Sequence, residues 1–237
     1  MARFDPTPET AFSRPYAADE RVTTFLRSVY GWMSAGLAIT ALVAFLVASS
    51  PQIAYTIASN RGLLWGLMLA QIGLVVWLSA RVQTMAPATA SLLFIVYSAL
   101  TGVTMSFVLL AYTGESVATT FLVTSGTFGA LALYVTTTSR SLAGWGQFLF
   151  MGLIGVVIAS VVGMFWHNDA FQFVLSFIGV IVFTGLTAYD AQRLKAMAVA
   201  LPGGQTGSFA IVGALSLYLD FINLFLMLLR FTGNRRN

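Results

Sequence analysis

Asp190 and Asp220 are carboxylates set in runs that are otherwise almost entirely apolar, VFTGLTAYDAQRLK and ALSLYLDFINLFLMLLR. A charge at the centre of a membrane helix costs about 2.5–3.5 kcal/mol on insertion scales, and ionisable residues kept there mark ion pathways, proton relays and pH-sensitive gates. The two flank a turn at residues 202–207, with Asp190 lying 15 residues before Gln205 and Asp220 lying 15 after it. Equal distances from the turn of an antiparallel helix hairpin give equal heights, so the spacing predicts a facing pair within hydrogen-bonding distance. At about 4 Å and an effective dielectric of 20, two carboxylates repel by about 4 kcal/mol. Such a pair is expected to hold one shared proton and to titrate as a unit. Losing that proton drives the pair apart, which is the logic of a pH-responsive latch.

Polar neighbours fall where helical spacing brings them close. Thr187 precedes Asp190 by three residues, and Ser216 and Asn223 flank Asp220 on the same helical face. An ionised pair needs a cation. Arg81, at the end of the second apolar run, is the expected basic contact; Arg193, one turn from Asp190, is its local competitor, and Arg140 is a third candidate. The plainer alternative is that each aspartate separately bonds a neighbouring helix and each arginine only sets topology.

The elements that position these residues are membrane helices. Of the 237 residues, 58% are hydrophobic and 8% charged, against about 25% charged in soluble domains. That composition cannot coat a water-facing surface. The net charge of +4 comes from 11 arginines and one lysine, Lys195, scattered at segment ends, so no basic, aromatic-interleaved patch points to nucleic acid. There is no cysteine, and His167 is the sole histidine, which excludes disulfides, thiol chemistry and His-rich metal sites.

Residues 1–28 read as a flexible polar cytoplasmic tail and 232–237 as a short C-terminal tail; the membrane domain occupies 29–231. Within it, apolar runs at 29–49, 63–80, 89–112, 118–138, 145–166, 171–194 and 209–231 approach the roughly 20 residues that span a bilayer. Trp32, Trp65, Trp145 and Trp166 sit near run ends, as interfacial anchors do. With the N-terminus inside, the inner segments hold Arg3, Arg14, Arg21, Arg27, Arg81, Arg140, Arg193 and Lys195; the outer ones hold Arg61, Arg230, Arg235 and Arg236. This asymmetry predicts a cytoplasmic N-terminus and an external C-terminus, with a re-entrant last helix as the alternative.

The runs IGVIVFTGLTAYDAQRLK and ALSLYLDFINLFLMLLRFTG resemble the last two helices of the Bax inhibitor family, in its bacterial branch. The match is most specific there and extends more loosely to nearly the whole chain. The resemblance implies an all-α integral membrane protein of the plasma membrane, with two three-helix layers around a central C-terminal helix. It implies a pH-sensitive passive calcium leak governed by a di-aspartyl unit, with Asp190 in its YD motif and Asp220 in its LDxINLF motif. Some relatives add an arginine near the end of the second helix, a place held here by Arg81 in WLSAR. Family members are also linked to restraint of a membrane-anchored ATP-dependent protease.

Transport fits buried carboxylates without any nucleotide motif, and carboxylate oxygens are the hard ligands calcium takes. Two carboxylates fall short of six to eight oxygens, so Asp190 and Asp220 are expected to hold calcium weakly and transiently, with no resident cofactor. The alternative is an interaction protein that modulates a membrane protease or a stress response without conducting ions. An enzyme is not expected. An intramembrane aspartyl protease would need a Gly-Asp pair, and Leu219 precedes Asp220; a retinal protein would need a lysine in the last run.

Overall fold

The structure, a computed structural model, describes residues 8–138, 140–166, 168–200 and 206–236, with side chains from Glu20 onward except at Met164 and Thr206. The described residues fold into eight α-helices: α1 (Pro8–Ala48), α2 (Pro51–Ser59), α3 (Arg61–Arg81), α4 (Pro87–Ala111), α5 (Gly114–Thr137), α6 (Gly146–Phe165, entered through a 3₁₀ turn), α7 (Asp169–Ala200) and α8 (Thr206–Thr232). All but α2 are long and apolar enough to cross a membrane. The seven expected spans are therefore present, and α2, only nine residues long, is an addition that hydropathy cannot see. Pro51 starts it at a position where a missing N–H costs nothing.

Both terminal segments are more structured than tails. The first helix begins at Pro8 rather than near residue 29, and Phe25 and Val29 are buried within it. Helix thus extends through residues 8–28, where Phe25 continues the buried stripe of the span among the described side chains; residues 1–7 lie outside the described residues. At the other end, residues 233–236 are pinned rather than loose. Thr113 N–H donates to the Asn234 carbonyl (3.0 Å), Arg236 N–H donates to the Ala111 carbonyl (2.9 Å), and Tyr112 and Arg235 form an antiparallel bridge.

Helix directions follow from side-chain neighbours. Gly36 lies against Phe94 and Ser98, while Gly102 lies against Val43 and the Thr40 carbonyl, so α1 and α4 run parallel and pack backbone to backbone. Gly213 touches Val29, and Thr40 meets Tyr218, which makes α8 parallel to both. Gly152 lies against Val182 and Gly185 against Leu149, so α6 and α7 are antiparallel. Small residues allow this close approach where hydrocarbon supplies no hydrophobic drive for helices to associate.

One layer is α1, α3 and α4; the other is α5, α6 and α7; α8 lies between them and touches α1, α3, α4, α5 and α7. Its interior residues Leu215, Leu217, Tyr218, Leu224 and Leu229 are fully enclosed. By contrast, α3 buries only Leu78 and turns the rest of its apolar surface outward, as a lipid-facing helix does. The last helix is continuous from Thr206 to Thr232 and ends beside the α4–α5 junction, so it runs the full length of the bundle. Trp65, Trp145 and Trp166 are exposed near helix ends; Trp32 instead packs edge-on against Phe94, with ring centroids 6.4 Å apart.

Candidate functional site

The α7–α8 pair carries both aspartates, and its register decides their geometry. Gly179 lies against Met227, Asp190 is hydrogen-bonded to Ser216, and Leu194 packs on Gly213. These pairs are centred on position 203 or just after it, not on Gln205. A two-residue displacement of the centre shifts partners by four residues along the opposite helix, which is one turn. Asp190 therefore stands level with Ser216, and Asp220 stands level with Leu186 and Thr187, about 6 Å further along the axis.

The expected direct hydrogen bond between the two carboxylates is not formed. Ser216 Oγ donates to Asp190 Oδ2 instead. Asp220 lies within electrostatic reach of Asp190, but its Oδ2 is buried without a partner among the described residues. The carboxylates also differ in access. Asp220 is 7% exposed, whereas Asp190 lines a cavity of about 430 Å³ together with Ser216, Arg193, Ser79, Gln83 and Leu219. The cavity lies at the end of the bundle where α3 finishes, and Asp220 is not part of its wall.

The other expected residues separate into contacts and bystanders. Ser216 is a contact. Thr187 donates to the Phe183 carbonyl and Asn223 to the Leu219 carbonyl, each one turn back in its own helix, so neither reaches an aspartate. Arg81 is exposed in the last turn of α3, and no ion pair joins it to either aspartate among the described residues. Arg193, one turn from Asp190 on α7, is the cation that shares its cavity. The helical phase explains the exchange: Ser79, Val82 and Gln83 face the cavity, and Arg81 falls on the opposite side of α3. Arg140 contributes through its backbone, its carbonyl accepting from Gln192 Nε2 at 2.9 Å. No cluster of three or more His, Asp or Glu side chains occurs among the described residues.

A chain with this layout can be compared with known proteins. The family model described as Inhibitor of apoptosis-promoting Bax1 matches residues 22–237. The chain belongs to the Bax inhibitor family. It is 50% identical to the inner membrane protein YbhL of Escherichia coli over 216 residues, covering 90% of this chain and 92% of that one. It is 43% identical to an uncharacterized protein of Deinococcus radiodurans (92% and 93% covered) and 33% identical to an uncharacterized membrane protein of Streptococcus pyogenes (91% and 95% covered). The resemblance carried by the last two helices thus extends over all seven spans of this Bax inhibitor protein.

A second buried polar group in this family member escapes local sequence reasoning. Thr40 Oγ1 donates to the Ser98 carbonyl (2.9 Å) and lies 2.6 Å from the Tyr218 hydroxyl. Threonine has one hydroxyl proton, so the Tyr218 O–H is the donor of the second bond. Tyr218 is wholly buried, with Phe94 and Tyr97 edge-on against its ring at 5.7 and 5.8 Å. The bond ties α8 to both α1 and α4. Tyr218 and Thr40 are 178 residues apart, and no periodicity within either helix foreshadows their meeting.

Proposed function

We propose that this Bax inhibitor protein is a pH-gated passive calcium leak of the bacterial plasma membrane, with Asp220 as the gate and Asp190 as the entry ligand. The observation that carries this reading is the orphaned carboxylate oxygen of Asp220 one turn from a cavity-lining Asp190. An ionised carboxylate buried without a partner costs several kcal/mol. The closed form is therefore one in which Asp220 carries a proton. When the proton leaves, the charge requires water or a cation, and α7 and α8 must part to admit either. A change from almost entirely closed to almost entirely open takes about 5.5 kcal/mol, within reach of one such charge.

Calcium enters as cargo. Asp190 and Ser216, with Gln83 on the cavity wall, supply fewer oxygens than the six to eight that calcium takes, which suits passage rather than storage. Arg21, Arg27, Arg81, Arg140, Arg193 and Lys195 gather at the cavity end of the bundle. The positive-inside rule makes that end cytoplasmic, and the N-terminus with it.

The test is ion flux into dye-loaded proteoliposomes with calcium, sodium and potassium compared at about pH 6 and about pH 8. Calcium flux should rise from the lower pH to the higher. Asp220→Asn and Asp190→Asn should insert normally and lose most of that rise. A wild-type pH response retained in both variants would remove the aspartates from the gate.

A further inference from the structure

The two layers do not close against each other along α1 and α5. An apolar groove follows their junction, bounded by Tyr30 and Ala132 at one end and by Ser49 and Gly114 at the other, with Phe221 of α8 as part of its floor. Ala41 and Phe121 belong to both its upper and lower stretches, so it is continuous. The 18 residue steps from Gly114 to Ala132 give it a length of about 27 Å, close to the hydrocarbon thickness of a bilayer. It opens outward, and Phe45 and Leu122 on its rim are more than half exposed. Water cannot fill such a groove in hydrocarbon; only an acyl chain matches both its shape and its surroundings.

The groove has a charged end. Arg236 lines its mouth beside Ser49 and Gly114. That position is fixed by the backbone: Arg236 N–H donates to the Ala111 carbonyl at 2.9 Å, and Asn234 N–H donates to Ser116 Oγ at 2.9 Å. A guanidinium held by its main chain at the membrane boundary, over an apolar slot, matches a phosphate joined to an acyl chain. It also gives a use to basic residues at the end of the bundle where the positive-inside rule disfavours them. Arg230 and Arg235 line a different, polar recess beside Asp169 and Gln172, which leaves Arg236 as the arginine of the groove.

We propose that the α1–α5 groove is a binding site for an anionic phospholipid, its acyl chain lying between the two helices and its headgroup phosphate on Arg236. The experiment uses the full chain in mild detergent supplied with equal amounts of phosphatidylglycerol and phosphatidylcholine of the same acyl length. Lipids retained per protein are counted by native mass spectrometry. The wild type should retain phosphatidylglycerol at least fivefold over phosphatidylcholine. Arg236→Gln keeps the backbone bonds and should bring the ratio to about one. Ala118→Phe, at an exposed groove position, should lower retention of both lipids at least threefold. Equal retention by the wild type, or an Arg236→Gln ratio unchanged from it, overturns the headgroup assignment. Unchanged retention in a monodisperse, helical Ala118→Phe protein overturns the groove as the acyl site.

Discussion

Tyr218 and Asp220 are two residues apart on α8, equally deep in the bundle, and opposite in how the fold treats them. The tyrosine hydroxyl has its partner in Thr40, and two aromatic rings enclose it. The aspartate faces α7, one turn past Ser216, and keeps an oxygen with nothing to bond. A buried polar group that is satisfied specifies packing, and one that is not stores free energy that a change of state releases. The same helix thus holds a satisfied clamp on its α1–α4 side and an unsatisfied carboxylate on its α7 side.

The sharpest break of this contrast comes from truncating both. Tyr218→Ala removes an enclosed aromatic and should cost about 4 kcal/mol in reversible unfolding from mixed micelles. Asp220→Leu removes an unsatisfied group and should leave stability unchanged or raise it by about 1–2 kcal/mol, while abolishing the pH response of flux. A strongly destabilised Asp220→Leu would mean that the aspartate has a structural partner after all.

Ser216 stands between the two behaviours, since its hydroxyl serves Asp190. Ser216→Ala should lose about 1.5–3 kcal/mol, the range of a hydrogen bond to a charged group, and Ser216→Thr should recover most of it. Equal losses in both variants would trace the effect to packing rather than to the bond. The smallest effect separates the arginines. Arg193→Gln takes a cation away from Asp190 and should move the flux–pH profile to higher pH by no more than about half a unit, given the weakness of exposed ion pairs. Arg81→Gln should leave the profile in place; an equal shift there would restore Arg81 to the site.

Much of this architecture is legible in the residues alone. Hydropathy finds all seven crossings because each is a long apolar run, and it misses α2 because nine residues cannot span anything. The Asp190–Ser216 contact is foreshadowed by the one-turn spacing of Ser216 from Asp220, but the partner is not, because α7 continues to Ala200 and moves the centre of the hairpin. That single turn separates a shared-proton pair from two carboxylates with different surroundings. The choice between Arg81 and Arg193 depends on the rotation of α3 about its axis, and a helix apolar on nearly every side carries no signal of its phase. Thr40 and Tyr218 meet only because α1 and α8 run side by side, which is a property of the assembled layers.

The helix at the centre of this molecule comes after every other described helix in chain order. Before α8 is in place, α1 and α4 can already lock through Gly36 and Gly102, and α6 and α7 through Gly152 and Gly185, but the two layers then meet chiefly where α1 touches α7. Even the amide of Thr113 and the carbonyl of Ala111 wait for residues 234 and 236. The join between the layers is therefore completed late, and removing α8 takes away the keystone of the bundle rather than an appendage.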